Sequence, residues 1–163
     1  MNKGGTLIEL IMVMLLLILF GVSISSLIYS GSQTQEKIIS EKNSQIDARI
    51  AVSYMNMKIR QSDTAGMISV KKNPTTGTDS VLIEEHYEWG SLDTWIFWED
   101  GVIYECLVYA GEEPSAGRSE VIAHVDSFDA AFNNAGAIVC TFGYSINGIA
   151  KQMRSYVYLR SGA

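Results

Sequence analysis

One carboxylate stands where water is scarce. Glu9 is the only charged residue between Leu7 and Tyr29, and from Leu10 to Phe20 every residue is apolar. A charged side chain at the centre of a bilayer costs about 2.5–3.5 kcal/mol on insertion scales. An acid at the head of such a run is therefore a functional candidate, and the chemistry open to it is pairing with a cation. A glutamate close to the interface can also reach water along its own stem.

The remaining reactive side chains form no catalytic pattern. His86 and His124 lie in apolar-rich stretches without an H-E-x-x-H motif, and both are expected as strand residues. No Gly-x-Ser-x-Gly elbow occurs, and the glycines are scattered rather than gathered in a phosphate-binding loop. Glu84, Glu85, Glu88, Glu99, Asp100 and Glu105 crowd together. Calcium takes several such oxygens, but strand alternation should scatter these over two faces. The expectation is a solvated acidic surface, with no catalytic residue, metal or cofactor. Cys106 and Cys140 are the only cysteines. A disulfide between them is chemically permitted outside the cytoplasm, and burial as two small hydrophobes is the other reading. The net charge of −6 argues against a nucleic-acid surface.

The elements that would position these residues follow from the apolar pattern. Leu7–Tyr29 would span roughly 34 Å as a helix, enough for a bilayer core of about 30 Å. Gly21, Ser23, Ser25 and Ser26 suit close packing between membrane helices. Ser23-Ile24-Ser25 could instead end a cleaved signal peptide, but the apolar run is long for that and Lys3 is a thin basic region. That lysine favours a cytoplasmic N-terminus. From Gln33 to Ser62 no proline interrupts. Ile39, Ile46, Ile50, Tyr54 and Met57 form an apolar stripe at helical spacing, expected to hold a sheet. One helix from about residue 6 to 63 would be near 85 Å long. Its first half would need lipid or neighbouring subunits.

After Gly66 the period becomes that of strands. Met67–Val70, Ser80–Tyr87, Thr94–Trp98, Val102–Tyr109, Glu120–His124, Ser127–Phe132, Ala137–Ile146 and Ile149–Arg160 are expected strands, and Glu112–Arg118 a loop. Asp100-Gly101 and Asn147-Gly148 are strong signals for two-residue hairpins. The expected fold is α+β: a long N-terminal helix packed by its second half on an antiparallel β-sheet.

Gly4-Gly5-Thr6-Leu7-Ile8-Glu9-Leu10, followed by about 20 apolar residues, resembles the N-terminus of the type IV pilin and pseudopilin family, including the competence pseudopilins of Gram-positive bacteria. The resemblance implies cleavage by a prepilin peptidase between Gly4 and Gly5, with N-methylation of Gly5. Glu9 then falls at the fifth mature position, where the family carries its glutamate, and Thr6 also matches. Gly5 departs from the family, which usually has a large apolar residue there. In such an assembly Glu9 of one subunit meets the N-terminal amine of a neighbour, and a buried ion pair serves better as a register device than as a source of stability. The helix-then-sheet order and Tyr54–Gln61 also look like minor pseudopilins.

The resemblance divides the chain into a leader (1–4), a transmembrane helix (5–30), an extracytoplasmic amphipathic helix (31–64) and an antiparallel β-sheet domain (65–163). It implies a structural subunit, a minor pilin or pseudopilin, rather than an enzyme. The expected partners are other pilin-like subunits, a prepilin peptidase and the lipid bilayer, with a membrane platform protein and an assembly ATPase acting indirectly. The expected location is the cell membrane, single-pass, with the C-terminal domain extracytoplasmic, in a pilus, secretion or competence system. The alternative is an anchored extracytoplasmic binding module that never assembles.

Overall fold

The structure is a computed structural model that describes residues 3–64 and 66–160, with side chains described for 8–30, 42–64 and 66–160. Helix α1 (Lys3–Gln61) is followed by strands β1 (Ile68–Lys72), β2 (Asp79–Tyr87), β3 (Gly90–Glu99) and β4 (Val102–Tyr109). A short 3-10 turn (Ala116–Arg118) then precedes β5 (Glu120–His124), β6 (Ser127–Phe132), β7 (Ala137–Ile146) and β8 (Ile149–Tyr158). The chain divides into two compact units, Met1–Ser40 and Glu41–Ala163. The α+β class is as expected. The loop expected at Glu112–Arg118 contains the 3-10 turn.

The expected single sheet is two. Strands β1-β2-β3-β4-β5 form one antiparallel sheet in that order, and β6-β7-β8 form a second. The break falls at Val125-Asp126. The Val125 amide donates to Gly101 O (2.9 Å) in the first sheet, and the Asp126 amide donates to Gly143 O (2.8 Å) in the second. Left-handed backbone at both loop residues favours a two-residue hairpin. Asp100 (φ 48°) and Gly101 (φ 87°) supply it, as do Asn147 (φ 55°) and Gly148 (φ 71°), whereas Val125 and Asp126 do not. There the chain passes from sheet to sheet instead of folding back. β3 is longer than expected because Gly90 (φ 149°) turns a tight β2–β3 hairpin, pairing with Tyr87.

The helical stripe is also corrected. Ile46, Ile50 and Met57 are exposed, and Tyr54 is only partly buried; the side chain of Ile39 lies outside the described ones. The buried stripe is Ala48, Ala51, Met55 and Ile59, at spacings of 3, 4 and 4. These two small and two large side chains, offset from the expected face, are the ones the sheets cover. They pack with Val81, Ile83, Ile96 and Ile103 of the first sheet and with Phe128, Ile138, Cys140, Phe142 and Val157 of the second. Alternation puts Leu82, Trp95, Phe97, Cys106 and Val108 on the other face of the first sheet as a separate cluster. The segment after β4 crosses over that cluster. Pro114 is buried, its carbonyl accepts from Thr75 Oγ1 (3.0 Å), and Ser115 O lies 3.9 Å from Cys106 Sγ.

Candidate functional site

The first candidate is the apolar part of α1. Ile8–Ser30 is long and apolar enough to cross a membrane, and none of its most apolar stretch is buried within the protein. Two of its hydroxyls bond within the helix: Ser23 Oγ donates to Leu19 O (2.8 Å) and Ser25 Oγ to Gly21 O (2.9 Å). Such bonding makes serine tolerable in lipid. A Cβ added at Gly21 would meet nothing within 4 Å among the described residues. Glu9 is the one acid of this segment and is exposed on the helix surface. The backbone at Gly4, Gly5 and Thr6 is helical, and the side chain of Thr6 lies outside the described ones.

The second candidate is a polar cluster between the helix and the first sheet. Tyr54 and Lys58, one turn apart on α1, converge on Glu105 of β4. Tyr54 OH donates to Glu105 Oε2, and Lys58 Nζ pairs with Glu105 Oε1. The carboxylate is only 16% exposed and Lys58 only 28%. Burial, the hydrogen bond to Glu105 and the charges of Glu105 and Glu120 together raise the Tyr54 phenol well above its ordinary 10.0. Three groups that are costly to bury singly thus satisfy one another. The cluster fixes which part of the helix sits on β4. A second helix–sheet bond, Ser155 Oγ to Asn56 Oδ1, does the same at β8.

Beside this cluster the helix-facing side of the first sheet is uncovered. Thr94 pairs in register with Leu107, and Leu92 with Tyr109, on the same face as Glu105. A cleft of about 380 Å³ is lined by Trp89, Leu92, Leu107, Tyr109, Glu112 and Arg118, among others. A second cleft of about 400 Å³ shares Leu107 and Arg118 with it and adds Glu85, Glu105 and Glu120. Tyr87 and Trp89 stack at the β2–β3 tip, 5.1 Å between centroids. Tyr87 OH also donates to Glu85 (2.8 Å), which raises its pKa.

Other sequence candidates disperse. Cys106 and Cys140 are free, buried in different clusters, so the disulfide considered from sequence is not formed. Burial pushes the Cys140 thiol up to about 12. His86 shares a hydrogen bond with Ser91 (2.8 Å), and His124 is exposed. The acidic district divides: Glu84 pairs with Lys71 (3.3 Å) on one face, while Glu105 faces the helix on the other. Among the described residues, no group of three or more His, Cys, Asp or Glu could hold a metal. Sequence reasoning missed the Tyr54–Lys58–Glu105 cluster. Its one sequence signal is a tyrosine and a lysine at i, i+4 on a helix, with a glutamate flanked by apolar residues in a strand.

A helix of membrane-crossing length joined to an antiparallel β unit is the layout of an anchored pilin-like subunit or an anchored binding module. By sequence, the chain belongs to the family described as Domain of unknown function (DUF4860), which it matches over residues 46–142. That match runs from the second part of α1 into β7 and leaves the Gly4–Leu10 motif outside it. No curated protein and no solved structure matches the chain.

Proposed function

We propose that this chain is a pilin-like structural subunit, a minor pilin or pseudopilin. A prepilin peptidase cuts after Gly4, and the mature chain, methylated or not at Gly5, is held in the cell membrane by its apolar helix until it joins a filament. Its β domain faces outward from the cell, and its role is structural rather than catalytic. The observation that carries the reading is Glu9. It stands alone on a lipid-compatible helix, at the position the prepilin motif assigns to the assembly glutamate. In a filament its carboxylate meets the new N-terminal amine of a neighbour, so cleavage creates the partner that makes the buried acid tolerable. Gly21, where an added Cβ would meet nothing among the described residues, suits close approach by a neighbouring helix.

The intact mass and N-terminal sequence of the protein from its native membrane test this reading. A chain beginning at Gly5, with or without one added methyl group, supports it. A chain still beginning at Met1 sinks it. The apolar cleft at Trp89 and Tyr109 favours a second reading, an anchored binding module that never assembles. Under that reading Glu9→Ala leaves the protein's behaviour unchanged; under the first it blocks assembly.

A further inference from the structure

Two unpartnered surfaces of the Glu41–Ala163 unit complement each other. The first is the outward face of α1. Lys42, Ile46, Arg49, Ile50, Met57 and Arg60 are all exposed, and at 3.6 residues per turn they share one face of about 100°. That face is apolar and basic. Ile46 is 50% exposed, Ile50 45% and Met57 47%, and no acidic side chain stands among them. The second surface is the cleft pair on the first sheet. Its floor is apolar, with Trp89 at 67% exposure, Tyr109 at 62% and Leu107 at 59%. Its rim is acidic. With Glu105 paired to Lys58, three carboxylates, Glu85, Glu112 and Glu120, stand against one cation, Arg118.

The same division runs through the whole unit. Residues 41–61 hold four basic residues and two acidic, while residues 62–163 hold six basic and fourteen acidic. The helical part of the unit is net positive and the remainder net negative. Surfaces of opposite sign steer association and fix register. Aromatic and aliphatic anchors at the centre of such a contact supply most of its energy.

We propose that the Lys42–Arg60 face of α1 in one copy seats in the Trp89–Tyr109 cleft of a second copy. The helix would set Ile50 and Met57 against Leu107 and Tyr109 and bring Arg49 and Arg60 to the acidic rim. In an assembly of the kind read above the contact is heterologous: each copy offers a face to one neighbour and a cleft to another. Repetition of such a contact builds an open array unless the rotation closes it. This inference rests on the assembly reading above and names a contact between the outer domains that the reading does not require.

The test uses full-length chains in native membranes. One carries Ile50→Cys and the other Leu107→Cys, with different tags, and mild oxidation follows. Both positions are exposed, so neither change should unfold the chain. A mixed dimer is expected. Arg49→Glu with Arg60→Glu should lower its yield at least tenfold, and Glu112→Lys with Glu120→Lys on the cleft chain should restore it. Leu16→Cys on the apolar helix reports assembly independently. Leu16 dimers without an Ile50–Leu107 dimer would overturn this contact and leave the assembly reading standing. Absence of both would overturn both. A Leu107→Cys adduct with a chain of different mass, and none with Ile50→Cys, would also overturn it and give the cleft to another protein.

Discussion

Glu105 shows how one side chain can organise a helix–sheet junction. It is largely withdrawn from water, yet it receives a phenol and an ammonium from adjacent turns of α1. Removing the cation leaves a poorly solvated carboxylate behind. Lys58→Met should therefore destabilise the fold by about 1–3 kcal/mol, and Tyr54→Phe by about 1–2 kcal/mol. The double variant should cost less than the sum, because both act on one carboxylate. Denaturant unfolding of the detergent-solubilised chain measures all three, and strict additivity would show that the residues act separately.

The raised Tyr54 phenol carries a pH dependence of definite sign. Its pKa is 10.0 when unfolded and higher when folded, so the folded state holds the proton more tightly. The resulting stability is complete below pH 10 and is lost as pH rises toward the folded value. Cys140 acts in the same direction, from 9.0 unfolded to about 12 folded. Wild-type stability should fall between about pH 9 and 12, and Tyr54→Phe should flatten the part above 10. Unfolding midpoints across that range check it, and equal slopes for the two proteins would contradict it.

At the scale of the element, α1 carries two apolar faces with different fates. Ala48, Ala51, Met55 and Ile59 lie in the core, while Ile46, Ile50 and Met57 lie outside it. Ile59→Ala should cost about 2–5 kcal/mol, as a core truncation does. Ile46→Ala should shift stability by no more than about 0.5 kcal/mol, as at an exposed site. Ala51→Leu should cost about 1–3 kcal/mol, because bulk there drives the helix off the sheets. Unfolding free energies of the three variants give the ranking, and a large loss at Ile46 would put the wrong face in the core.

For the molecule as a whole, the decisive residue is Glu9. Ile8–Ser30 exposes Leu, Ile, Met and Phe along its length, and only lipid or neighbouring helices can cover such a surface. Glu9→Ala should leave membrane insertion intact, since it removes the one charge of the segment. Under the assembly reading it should abolish filaments, since it removes the carboxylate proposed to meet the neighbour's amine. Fractionation of membranes and sheared filaments separates the two effects. Filaments at the wild-type level would remove Glu9 from assembly.

The sequence alone determined whatever depends on neighbours in the chain. The apolar run marks a membrane-length helix. The Asp100-Gly101 and Asn147-Gly148 pairs mark hairpins, and alternation placed the strands from Val102 to Ile146 at their observed bounds. These are local facts, set by backbone sterics and by a side-chain period of two or 3.6. The tertiary structure decided what depends on residues far apart. For the helix–sheet contact it chose the face of Ala48, Ala51, Met55 and Ile59 over that of Ile46, Ile50 and Met57. It divided one expected sheet into two at Val125-Asp126, where Val125 bonds to the first sheet and Asp126 to the second. It joined Tyr54 and Lys58 to Glu105 across some 50 residues of chain and sent Cys106 and Cys140 to separate cores. Which face of an element is covered depends on the shape of what lies against it, and one strand or one helix does not encode that shape.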